Sequence, residues 1–224
     1  MTDNIFLFVP NIIDYCRVIF AFMSFYYMPT DHYKAACLYL LSGFLDEFDG
    51  RLARLLKQTS KLGALLDQLT DRIITMCMCA VLCHFYPTYI LFFQFSMALD
   101  IFSHWVYLHS SLMIGKENHK HVDLSENFIV RHYYTNEHVL SVMCLGNEIF
   151  YCLLYLRHFT IGPVLGNLSI GLWTLLLFVA APITIAKMVI SGVQMVIACR
   201  NIAAIDITER EKEAREERNK YKGE

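Results

Sequence analysis

Six apolar stretches dominate the chain, at roughly residues 11–28, 33–53, 62–84, 88–112, 138–157 and 171–199. A helix needs about 20 largely apolar residues to cross a bilayer, and each stretch meets or approaches that length. The expected fold is therefore all-α, a polytopic membrane protein with about six transmembrane helices. Composition agrees. Apolar residues make up 56% and charged residues 18%, against roughly 25% charged in an average soluble chain. Disorder is excluded everywhere except the C-terminus, because apolar residues dominate the rest. The eight cysteines (16, 37, 77, 79, 83, 144, 152 and 199) sit inside apolar runs without disulfide or metal spacing. Even Cys77-x-Cys79-x3-Cys83 lacks a histidine or a second cysteine pair, so all eight read as small buried hydrophobes. A net charge of −2 gives no basic field for nucleic acid. The opening MTDNIFLFVP has neither a basic segment nor a small-residue cleavage site, so no cleavable signal peptide is expected.

Turn chemistry separates the stretches: Met28-Pro29-Thr30-Asp31, Tyr86-Pro87-Thr88, and Gly162-Pro163 with Gly166 and Asn167. The longest polar interval is 115–137. Beyond Arg200 the chain turns to ITEREKEAREERNKYKGE, whose opposite charges at helical spacing (Glu211 and Arg215, for example) suit a solvated or interfacial helix. The expected division is a transmembrane domain over 1–200 and a charged tail over 201–224. Arg51, Arg54, Lys57, Lys61, Lys116, Lys120, Arg131 and seven basic residues from Arg200 onward fall on one side of the membrane, and only Lys34 and Arg157 lie in loops on the other. Basic loops stay inside, so both termini are expected in the cytosol.

Seven acids interrupt the apolar stretches: Asp14, Asp46, Asp49, Asp67, Asp71, Asp100 and Glu148. Such acids are costly in a bilayer and each needs a partner or a purpose. Asp46 and Asp49 are three apart and share one helix face, as do Asp67 and Asp71, four apart on the next helix. The short connection makes these helices antiparallel neighbours, so four carboxylates converge near their cytosolic ends. Protons or divalent cations must relieve the repulsion. Oxygen-only ligation suits Mg2+ or Mn2+. Gly50 leaves room for a bulky ligand beside Asp49, and the small Ala53 lies on the same helix. Arg54 offers a fixed cation to a phosphate. Thr59 and Ser60 fall where the third helix should start, with hydroxyls and nearby N–H groups for an anion. Gly63 again permits close approach.

The pattern Asp46-x2-Asp49-Gly50-x2-Ala53-Arg54-x8-Gly63-x3-Asp67-x3-Asp71 resembles the signature of the CDP-alcohol phosphotransferase family, with eight identities in register over 26 residues. Pro10-Asn11-x5-Arg17 resembles the start of that family's first helix, with Asp14 where the family often has threonine. Segments outside the signature resemble the family's eukaryotic inositol-using branch: NIFLFVPNIIDYCRVIF, Leu38–Gly43, FDGRLAR, LDQLTDR, SHWVYLHSS, RHYYT and GNEIFYCLLYL. The resemblance implies a six-helix membrane fold, usually dimeric, with a two-metal site (Mg2+ or Mn2+) at the cytosolic interface. It implies transfer of a phosphatidyl group from CDP-diacylglycerol to myo-inositol, with release of CMP, in the endoplasmic reticulum membrane. By the same resemblance Asp46, Asp49, Asp67 and Asp71 would be metal ligands, with Asp71 also general base, and Gly50, Arg54 and Ser60 would hold the CDP-lipid. Other acceptor alcohols, such as glycerol phosphate, choline or ethanolamine, stay open. So does a transporter using the acids as a cation path, though it leaves Gly50, Ala53, Arg54 and Gly63 unexplained.

Outside the signature, Arg131 suits either an inositol pocket or an interfacial cation among aromatics. Asp100 and His104, four apart, suit either a chamber-facing pair or a structural hydrogen bond; Asn147 and Glu148 are similar. Lys187 needs an acidic partner. Asn167-Leu168-Ser169 is a sequon too close to the bilayer to carry a glycan, and Lys220-x-Lys222 resembles a dilysine retrieval signal.

Overall fold

The computed structural model describes residues 4–114, 136–164 and 170–220. Among them are six long helices: α1 (Val9–Tyr27), α2 (His32–Leu55), α3 (Lys61–Phe85), α4 (Ile90–Ile114), α5 (Glu137–Phe159) and α6 (Leu172–Lys220). No strand occurs among the described residues, only an isolated bridge between Val164 and Gly171. Arg131, the Asn167 sequon and Lys222 lie outside the described residues.

The helix ends follow the local chemistry. Pro10 stands in the first turn of α1, where its missing N–H costs nothing. Asp31 caps α2, its side chain accepting the Lys34 N–H at 3.0 Å. Ser60 caps α3 by accepting the Gly63 N–H at 2.9 Å. Between α2 and α3 only residues 56–60 turn the chain, with Lys57 in the left-handed region at φ 55°. Gln58 in that turn accepts the Val9 N–H at 2.9 Å and so ties the connection to the start of α1.

The chain divides into two compact units. One gathers Met1–Ala98 and His138–Lys187, the other Leu99–Glu137 and Met188–Glu224. In the first, α1 lies against α2 across Ala21, Ala35 and Ala36, all buried. Small side chains let helix backbones approach closely. Two hydroxyls set the register: Ser24 donates to the Ala35 carbonyl at 2.7 Å and Ser42 to the Arg17 carbonyl at 2.9 Å. Met78, Cys79 and Leu82 of α3 and Tyr151, Cys152 and Tyr155 of α5 complete this core. Two phenols tie the core together, Tyr155 donating to the Met28 carbonyl and Tyr86 to the Leu154 carbonyl, while the buried Tyr39 hydroxyl has no hydrogen-bond partner in the structure. An aromatic layer closes the end formed by the start of α2 and the ends of α3 and α5. There His32 stacks on Phe159 and Phe85 on His158. In the second unit, Ser103 and Ser110 of α4 and Gln194, Ala198, Asn201 and Ile205 of α6 are buried.

Among the described residues, three segments are long and apolar enough to cross a membrane by length and composition: Pro87–Ile114, His138–Phe159 and Leu172–Lys220. Helices α1 to α3 have the length, but their acids and arginines lower their hydropathy. No disulfide joins the eight cysteines; Cys79 and Cys152 are buried, but Cys37 and Cys199 are exposed, so the reading as small buried hydrophobes does not extend to the whole set. Helix α6 passes Arg200 without a break and its last turns are exposed. The composition changes there, but the backbone does not.

Candidate active site

Three helices build the site in the first unit. Helix α1 presents Asn11, Asp14 and Arg17 at spacings of three, along one face. Helix α2 contributes Asp46 and Asp49, and α3 contributes Asp67 and Asp71. The four signature acids converge as the sequence predicts, and Asp14 joins them. Two groups of carboxylates have oxygens within 4.8 Å of one another: Asp14 with Asp49 and Asp67, and Asp46 with Asp67 and Asp71. Asp67 belongs to both.

Arg17, 1% exposed, stands between the two groups. Its Nη1 lies 3.1 Å from Asp14, 3.0 Å from Asp49 and 3.1 Å from Asp67. Its Nη2 lies 2.5 Å from Asp46 and pairs with Asp71. Asp71 also meets Arg72 at 3.2 Å. Sequence reasoning placed Arg17 only as part of the first-helix motif. The missed signal was the cost of an arginine inside an apolar stretch, which demands acidic partners. The five carboxylates outnumber the two guanidinium groups. Their all-oxygen donor set fits a hard divalent cation.

A cleft of about 190 Å³ opens beside Asp14, Asp49 and Asp67. The signature residues Gly50, Ala53, Arg54 and Gly63 line it, with Pro10, Asn11, Thr59 and Ser60. Asp46 and Asp71 lie outside its lining and group with Asp67. The two glycines serve differently. A Cβ on Gly50 would meet only Arg54 Nη1, at 3.9 Å, so this position is open to the cleft. A Cβ on Gly63 would come within 2.6 Å of Asn11 Oδ1 and 3.1 Å of Ser60 Oγ. At Gly63 the close approach is therefore made by α1. Asn11 is fully buried; its Nδ2 donates to the Ile5 carbonyl at 2.7 Å, while Oδ1 has no hydrogen-bond partner in the structure.

The residues match the CDP-alcohol phosphatidyltransferase family model over 7–126. The chain belongs to that family. Human CDP-diacylglycerol–inositol 3-phosphatidyltransferase is 52% identical over 210 residues, covering 94% of this chain and 98% of that protein. The Drosophila melanogaster protein of the same name is 40% identical over 209 residues, covering 93% and 91%. The Saccharomyces cerevisiae one is 40% identical over 172 residues, covering 77% and 76%. No solved structure matches significantly. The family generally uses a divalent metal, and this cluster of carboxylates beside the cleft could hold one.

The remaining acids are placed elsewhere. Asp100 and His104 share one face of α4 in the second unit, with His104 Nδ1 2.8 Å from the Asp100 carbonyl and 3.6 Å from its carboxylate. Glu148 reaches from α5 to the helix surface at Gly43, where a Cβ would collide with its carboxylate. Lys187, buried on α6, exerts its charge on Glu148.

Proposed function

We infer that this chain is a membrane enzyme that transfers the phosphatidyl group of CDP-diacylglycerol to myo-inositol, giving phosphatidylinositol and CMP. The observation that carries this reading is a near full-length match, at 40–52% identity, to proteins named for that reaction. The signature residues of this chain gathered around one cleft and one acid cluster support it.

In the reaction an inositol hydroxyl oxygen forms a bond to the phosphorus that carries the diacylglycerol. The bond from that phosphorus to the bridging pyrophosphate oxygen breaks, and CMP leaves with the electron pair. Mg2+ or Mn2+ held by Asp46, Asp49, Asp67 and Asp71 in a two-metal site would neutralise the pyrophosphate and the charge growing on CMP. Gly50 leaves the cleft wall bare for the nucleotide. Arg54 directs its guanidinium fork to phosphate oxygens. Ser60 Oγ accepts the Gly63 N–H, which leaves its own proton to donate to the same phosphates. Asp71 takes the proton from the inositol hydroxyl, having first released its contact with Arg17. The buried acids keep the reaction at the ends of the spans, where lipid tails reach the bilayer and inositol reaches water.

On the same reading the enzyme works as a homodimer in the endoplasmic reticulum membrane, with both termini cytosolic. Residues 1–200 form its transmembrane domain and 201–224 a cytosolic tail. The deciding experiment offers purified protein CDP-diacylglycerol with a panel of alcohols and follows CMP. CMP release that requires inositol is the expected result. Release with glycerol phosphate, choline or ethanolamine instead would reassign the acceptor, and solute flux without CMP would replace the enzyme by a transporter.

A further inference from the structure

The metal chemistry above leaves Arg17 without a role, yet no side chain in the site is more heavily engaged. Its two Nη nitrogens carry four hydrogens between them and face five carboxylates. They divide the acids along the same line as the two converging groups: Nη1 meets Asp14, Asp49 and Asp67, and Nη2 meets Asp46 and Asp71. Each nitrogen therefore draws on oxygens that a cation in that group would need. Guanidinium and cations compete for one set of lone pairs. Arg17 Nε, also buried, has no hydrogen-bond partner in the structure, so the head group is held from its Nη ends alone.

The backbone beneath it is fixed. The Arg17 carbonyl accepts from Ser42, and Ser24 locks the next turns of α1 to α2. Any withdrawal of the guanidinium must then come from side-chain rotation. Asp14 lies three residues earlier on the same helix, 2% exposed and outside the signature. It stays beside Arg17 whatever α2 and α3 do.

We propose that Arg17 is a positioning residue: it holds the acid cluster assembled before cations bind, then retains Asp14 and yields Asp46, Asp49, Asp67 and Asp71 to them. The resident arginine offsets repulsion that would otherwise push α1, α2 and α3 apart. Asp14 sets how readily it lets go. The release also frees Asp71 for the inositol proton. The proposal rests on the acid cluster being a cation site, but not on which alcohol the enzyme uses.

The test is a double-mutant cycle on metal-stripped protein in detergent, read by thermal midpoint and by titration of free Mn2+. Arg17→Gln should lower the metal-free midpoint by about 5 °C or more and tighten Mn2+ binding by roughly tenfold or more. Asp14→Asn should weaken Mn2+ binding in the wild-type background and leave it nearly unchanged in Arg17→Gln. If Arg17→Gln does not fold, Arg17→Lys keeps a charge without the fork, and should shift both readouts in the same direction by less. An unchanged metal-free midpoint, or weaker Mn2+ binding in the Arg17 variants, overturns the proposal. Equal weakening by Asp14→Asn in both backgrounds makes Asp14 a direct ligand and also overturns it. Wild-type protein that binds no Mn2+ overturns the cation site itself, and this proposal with it.

Discussion

Asp67 is common to both groups of converging carboxylates, so its loss removes an oxygen from each. Asp67→Asn should abolish CMP release and weaken Mn2+ binding while the protein still inserts; near-normal rates would remove it from the metal shell. Asp71 lies one turn further along α3 and outside the cleft lining. Asn there keeps the size and one oxygen, so Asp71→Asn should depress kcat about 10²–10⁴-fold while CDP-lipid binding partly survives. Lost binding with a normal residual chemical step would leave Asp71 as a ligand only. The glycines give a sharper contrast. Gly50→Ala puts a methyl into open cleft and should raise the KM for CDP-diacylglycerol with an unchanged thermal midpoint. Gly63→Ala pushes on Asn11 and should lose about 1–3 kcal/mol of stability. Arg54→Lys keeps charge but loses the planar fork, so the KM for CDP-diacylglycerol should rise more than that for inositol. Pairwise spacing made the signature acids legible from sequence. Asp14 was legible only as a costly acid and Arg17 only as part of the first-helix motif, because their joining the cluster comes from α1 meeting two other helices, which no spacing along α1 reveals.

At the scale of elements, the site depends on how tightly α2 is turned into α3. Five residues make the connection, Ser60 caps the start of α3, and Gln58 fastens the turn to α1. Ser60→Ala leaves the Gly63 N–H without its acceptor and should cost about 1 kcal/mol, read as a lower thermal midpoint. A larger loss in CDP-lipid affinity than in midpoint would assign the hydroxyl to ligand as well as cap. The opposite end shows another constraint. Gly162 takes φ 75° under the Trp173 ring, and a Cβ at Gly171 would collide with the Ile161 carbonyl. All six helices were visible as apolar stretches between turn residues. Hydropathy alone separates α4, α5 and α6 from the rest, because the first three helices give part of their length to the charges they hold between them.

Across the whole molecule, the chain changes composition at Arg200 but keeps its backbone form. The charged residues beyond it, spaced to suit a helix, continue α6 to Lys220. Helical hydrogen bonds are made within the segment itself, and the opposite charges at helical spacing support the helix where the side chains cease to be apolar. The stretch beyond Arg200 is therefore a strut. At about 1.5 Å per residue, Lys220 stands roughly 30 Å beyond Arg200 along the helix. Acids and bases alternate along this stretch, so an anionic lipid surface gains little by drawing it down. A reporter fused after Lys220 would be held at a set distance and orientation, and the strut could serve as a molecular ruler for the height of whatever it carries.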